Sequence, residues 1–124
     1  MVWRALAVAL ILLLPTPPAV AGTIIPVLAD PTATYEDIGR RDMGSGIFEI
    51  TTKRVGTLGT SYARREVNCR YWTFRYTGSA DTPEELAAQY INSPFAPLEA
   101  GSVSSYIALN VCRPGTRSAP STDR

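Results

Sequence analysis

A single positive charge at Arg4, ten apolar residues at 5–14, a proline-rich stretch and then Ala19-Val20-Ala21 open this chain. That order is the charged start, apolar middle and small-residue cleavage site of a secretory signal peptide. Crossing a bilayer takes about 20 apolar residues, so a run of ten does not span one. The expectation is a cleaved segment 1–21 and a mature protein that begins at Gly22, in the periplasm, at the cell surface or released. The position after the cleavage point is Gly22 rather than a cysteine, so no bacterial-type lipid anchor is expected. Removing 21 of the 124 residues leaves 103, enough for one domain and one modest core. That domain is expected over residues 22–112. Residues 113–124 are polar and small, with two prolines and no periodicity, and read as a disordered tail.

Export gives weight to the two cysteines, Cys69 and Cys112. An even count in an oxidising compartment points to a disulfide. Closing a loop of this length stabilises a small domain by about 4 kcal/mol in the chain-entropy account. The rival readings are a reactive thiol pair and half of a metal site. Redox pairs sit as C-x-x-C, and structural zinc takes four ligands, whereas this chain has no histidine.

Residues 24–29 form a short β-branched run expected to be a strand stopped at Asp30-Pro31, and residues 34–41 a more exposed strand. Residues 42–46 and 56–60 carry paired glycines and read as turns. Between them, residues 47–55 alternate, with Phe48, Ile50 and Thr52 on one face. Residues 61–76 make the longest strand candidate. Its apolar phase changes once, which predicts a bulge or bend near Tyr71-Trp72. Thr82-Pro83-Glu84-Glu85 has a capping hydroxyl, proline at the first helical position and a third-position glutamate, so a helix is expected over 82–91. Residues 92–100 form a loop. Ser102 caps a second helix whose stripe is Val103, Tyr106, Ile107, Asn110 and Val111; its β-branched content leaves a strand as the rival. The fold class is α+β: an antiparallel sheet of four or so strands, packed on one face by one or two short helices, with one disulfide.

Chemistry is sparse. With no histidine, the usual partner of a serine or cysteine nucleophile is missing. Ser45 lies in Gly-Ser-Gly but lacks the G-x-S-x-G spacing, so a turn is the better reading. Asp42, Glu49, Glu66 and Asp81 are the carboxylates that could pair for acid–base work. Arg40-Arg41-Asp42 and Arg64-Arg65-Glu66, however, read as solvated charge clusters. No calcium loop is present, and residues 56–61 lack the lysine of a phosphate loop. No catalytic residue, no metal ligand and no cofactor are assigned. Mature charge is balanced, eleven basic against eleven acidic residues once Arg4 is removed, so no nucleic-acid partner is expected. Arg70-Tyr71-Trp72-Thr73-Phe74-Arg75-Tyr76 interleaves arginine with aromatics as stacking platforms do. The competing account places Trp72, Phe74 and Tyr76 in the core.

Two stretches, Ser61-Tyr62 through Arg64-Arg65-Glu66-Val67-Asn68-Cys69 to Arg75, and Pro94-Phe95-Ala96-Pro97-Leu98 with Gly101-Ser102-Val103 and Val111-Cys112, carry a resemblance. With Tyr35-Glu36-Asp37-Ile38, they resemble the small bacterial envelope proteins related to surface-adhesin protein E over residues 35–112. Phe95 stands where that family shows tryptophan. The resemblance implies a sheet packed by helix, a Cys69–Cys112 bridge, and a periplasmic or surface location. Some members adhere to host matrix proteins. It transfers no ligand-binding residue. The expected function is therefore a non-enzymatic, exported binding module for a protein partner at the cell envelope or host matrix. The alternatives are a periplasmic inhibitor of a lysozyme or protease, presenting residues 92–100, or a small enzyme. Pairing of residues 24–29 with a second copy is a further possibility.

Overall fold

Alternation decides the middle of the chain. Phe48, Ile50 and Thr52 are all buried, in phase with Val67 on the next strand, and this row is the floor of the core. The computed structural model describes residues 22–113. Residues 1–21, read from the sequence as a signal segment, and residues 114–124 of the expected tail lie outside the described residues.

Six antiparallel strands run in sequence order across one sheet. They are β1 (Thr23–Ile25), β2 (Thr34–Gly44), β3 (Ile47–Gly56), β4 (Gly59–Asn68), β5 (Thr73–Ala80) and β6 (Ala96–Pro97). Helix α1 (Pro83–Ala87) links β5 to β6, and α2 (Val103–Val111) closes the fold. The architecture is α+β as expected, with six strands rather than four.

Differences from the sequence reading have local causes. The first strand ends at Ile25, because Pro26, not Pro31, removes the next ladder donor. The β2–β3 hairpin turns at Ser45 and Gly46, both with positive φ (58° and 80°), the pairing of a type I′ turn. Residues 61–76 are not one continuous strand but two, and the break near Tyr71-Trp72 is a turn rather than a bulge. Asn68 ends β4, and its side-chain oxygen accepts from the amides of Arg70 and Tyr71 at 3.0 and 3.1 Å, folding the chain into a tight turn. The phase change in the sequence is that turn. The β4–β5 bulge lies elsewhere: Arg65 faces Tyr76 and Arg64 faces Gly78, which leaves Thr77 as the extra residue.

Helix α1 has the expected cap, with the Thr82 hydroxyl accepting from the Glu85 amide at 3.2 Å. It stops at Ala87, well short of residue 91, and only Leu86 is buried. Tyr90 and Ile91 are exposed. The α2 reading holds over its strand rival. Ser102 caps it, accepting from the Ser105 amide at 3.1 Å, and Ile107, Ala108 and Val111 are wholly buried. Asn110, the polar break in its stripe, accepts from Arg40 at 3.1 Å.

The helices do not share a face. Arg64 and Arg65 are neighbours on β4, so their side chains leave opposite sides of the sheet. Arg65 bonds Ser104 of α2, whereas Arg64 bonds the Leu86 carbonyl of α1. The core between α2 and the sheet is mostly aliphatic, with Ile25, Ile50, Val67, Ile107 and Val111, and takes in the rings of Tyr35 and Phe48. Trp72 and Phe74 pack against its margin, and Tyr76 is 41% exposed, so the aromatic row borders the core rather than forming it. Cys69, ending the β4 side, is bonded to Cys112 at the C-cap of α2, which ties the helix to the sheet.

Candidate functional site

Helix α2 covers only part of the sheet. Past the Phe48, Ile50 and Val67 rows, the same face continues beyond the helix through Thr52, which stays buried, and Arg54 on β3 and through Ser61 and Ala63 on β4. The result is a cavity of about 370 Å³. Tyr35 on β2, Tyr62 and Arg65 on β4, and Tyr76 and Ser79 on β5 complete its lining. The bulge at Thr77 is what lets Tyr76 and Ser79, three residues apart, share this face.

Arg65 forms the inner wall. It faces Ile50 across the ladder and is 4% exposed. Its guanidinium donates to the hydroxyls of Ser104 (3.1 Å), Thr52 (3.0 Å) and Tyr76 (3.0 Å), and lies 4.6 Å from the Tyr76 ring centroid. All three acceptors are neutral. Among the described residues, Arg65 makes no ion pair. A cation withdrawn from water without a counter-charge is costly; hydroxyls and a ring face offset only part of that cost.

Arg54, on the outer rim, contrasts with it. It donates to Asp30 at 2.9 Å and to the Tyr35 hydroxyl at 3.2 Å, while that hydroxyl donates to Asp30 at 2.8 Å. The Arg54 bond, then the Tyr35 bond, hold the Asp30 carboxyl below its ordinary range. The same Asp30 bond, with that of Tyr35, raises the Arg54 guanidinium. Arg54 is thus neutralised and Arg65 is not.

The two phenols respond oppositely. Burial, then the bond to Asp30, raises Tyr35 above 10.0. Burial would also raise Tyr76, but the Arg65 charge and the Ser104 and Arg65 bonds outweigh it, so Tyr76 lies below 10.0. A neighbouring cation favours the phenolate and a neighbouring carboxylate disfavours it. In an alkaline titration followed by phenolate absorbance, the earliest step is expected to vanish in Tyr76→Phe and persist in Tyr35→Phe. An unchanged early step in Tyr76→Phe would refute the assignment.

On the opposite face, a charged row crosses four strands: Arg41, Glu49, Glu66 and Arg75 are successive ladder partners. The two central carboxylates face each other, an arrangement that repels unless each is neutralised. Arg41 bonds Glu49 at 3.3 Å and Arg75 bonds Glu66 at 3.1 Å. Arg75 also donates to Asn92 and the Ser93 carbonyl and lies over the Phe95 ring. Leu98 donates its amide to the Trp72 carbonyl. The 92–100 segment is therefore fastened along the sheet rather than standing away from it. A second cavity, about 360 Å³, lies beyond Tyr76, between Phe74, Pro97, Glu99 and the start of α2 at Ser102–Ser104.

Of the four carboxylates singled out in the sequence, the structure brings Glu49 and Glu66 together and leaves Asp42 and Asp81 exposed in separate places. Asp42 accepts from the Gly44 amide. Ser45 occupies the exposed hairpin turn, and residues 56–60 form the other hairpin, as read. The Arg64-Arg65-Glu66 run is not a solvated cluster, since Arg65 and Glu66 are each 4% exposed. Sequence reasoning missed Arg65, Arg54 and Tyr35. One signal could have found the first: Arg65 shares the odd-numbered phase of Ala63 and Val67, which places it on the inward face. Compared with known proteins, the chain matches no family model, no curated protein and no solved structure.

Proposed function

We propose that this chain is an exported, non-enzymatic binding module whose partner is a protein at the cell envelope or in a host matrix. The observation that carries the reading is the open cavity on the α2 side of the sheet. A binding seat needs a concave, largely preformed surface with a few polar groups fixed by the fold. Here Arg65, Thr52 and Tyr76 are held by one another and by Ser104 before any ligand arrives. The signal-like segment 1–21 supports export, and the resemblance of residues 35–112 to surface-adhesin protein E supports an adhesive role. The missing histidine supports binding over turnover.

The test is affinity capture with the exported, disulfide-bonded protein, using envelope extracts and purified matrix proteins as the pool. The comparison variant is Ser61→Trp, which fills the cavity from its own wall. A protein retained saturably by the native domain and lost by Ser61→Trp is the expected result. Equal retention by both, or none by either, overturns the proposal.

A further inference from the structure

We infer that the cavity beside Arg65 is a carboxylate-binding site, with Arg65 as the anchor of the bound group. This rests on the binding-module reading and names the chemistry by which the partner is recognised.

Charge comes first. Among the described residues, no carboxylate lines the cavity. Arg54, at its rim, is neutralised by Asp30, so the single uncompensated charge is that of Arg65. One buried positive charge is matched by one negative charge. A monoanion therefore fits, whereas a phosphate dianion would leave a buried excess of the opposite sign.

Hydrogen-bond capacity comes second. A guanidinium carries five N–H donors, and three protein acceptors occupy one each on Nε, Nη1 and Nη2. One donor on each terminal nitrogen is left over. Two donors on one planar group suit the two oxygens of a carboxylate. The lining adds the Ser61 and Ser79 hydroxyls, which bond nothing else among the described residues. The fork is also fixed before binding, because Thr52, Ser104 and the Tyr76 ring hold it from three sides. Less side-chain freedom then remains to be lost on association.

Two sources supply such a group: a free hydroxy or sugar acid, and an acidic side chain presented by a protein. The experiment separates them. The exported, disulfide-bonded protein is titrated by NMR with sodium glucuronate against glucuronamide. A parallel arm uses the capped peptide acetyl-Gly-Glu-Gly-amide against its glutamine counterpart. Shifts are read at Thr52, Tyr76 and Ser79. Saturable shifts with either acid, and none with its neutral partner, are expected, and the stronger arm identifies the source.

Arg65→Gln should weaken that binding by about tenfold or more, the share of one charge-assisted hydrogen bond. Because Arg65 also braces the fold, a second variant is needed. Ser79→Asp places a carboxylate in the cavity and should abolish binding while leaving the domain folded. Shifts shared by acid and amide, no shift with any probe, or full binding by Ser79→Asp would each overturn the inference. If a protein is captured by the native domain with undiminished strength in excess glucuronate and by Ser79→Asp, the carboxylate site fails while the binding-module reading stands.

Discussion

Replacing both Cys69 and Cys112 with serine is expected to lower the stability of the folded domain by about 4 kcal/mol, and reduction of the native bond should do the same. The two residues are 43 apart in sequence, so the bond removes a large share of the freedom of the unfolded chain. Its position adds to the effect. Cys69 opens the tight turn between β4 and β5, and its amide donates to Gly46 of the neighbouring hairpin at 2.8 Å. Cys112 caps α2, donating its amide to Ala108 at 2.8 Å. Because α2 supplies the upper half of the core through Ile107, Ala108 and Val111, releasing its C-terminal end loosens the layer that buries Ile50 and Val67. A domain of this size has about 5–15 kcal/mol in total, so the loss is a large fraction of it. Urea unfolding with and without reductant measures the shift. A midpoint unmoved by reduction would mean that α2 docks by its apolar face alone.

The sheet was legible wherever alternation was undisturbed. Phe48, Ile50 and Thr52 declare their face, and the turns at 45–46 and 57–58 follow from glycine placement. The caps at Thr82 and Ser102 were equally plain, because each rests on one side chain and one nearby amide. What escaped was decided at long range. The length of α1 depends on carbonyls that Arg64 reaches from the sheet, and nothing within residues 82–91 encodes that. Two adjacent arginines and a glutamate look solvated when taken as a run of charge. Arg65 and Glu66 are buried, and Arg64 half-buried, because both sides of the sheet are covered, by α2 on one and by the α1 to β6 connection on the other. The cavity was illegible for the same reason. Tyr35, Arg54, Arg65 and Tyr76 come from four strands and meet only through register.

Arg64→Ala tests how the second covering layer is held. The guanidinium donates to the Thr77 hydroxyl and the Thr77 carbonyl, each at 2.9 Å, to the Leu86 carbonyl at 3.1 Å, and to the Gln89 carbonyl. A five-residue helix has too few internal bonds to persist alone, and α1 carries no basic residue in its last turn. Arg64 supplies from the sheet what the helix lacks: donors for the carbonyls at its end. Thr77, extruded by the bulge and wholly buried, turns its hydroxyl and its carbonyl toward the same group. Truncation removes the donor of the Thr77 hydroxyl and of the Gln89 carbonyl, while the Thr77 and Leu86 carbonyls keep the Ile91 and Gln89 amides, and a cost of about 2–4 kcal/mol is expected. The loss should be local. Amide exchange should accelerate over residues 83–93, where the Ile91 amide bonds the Thr77 carbonyl at 2.9 Å, while Ile50 and Val67 keep their protection. Arg64→Lys should recover only part, since an ammonium cannot span four acceptors on two elements with a planar fork. Uniform acceleration across the domain would instead place Arg64 within the cooperative core, and unchanged exchange at 83–93 would show that Leu86 packing against Gly78 holds α1 without it.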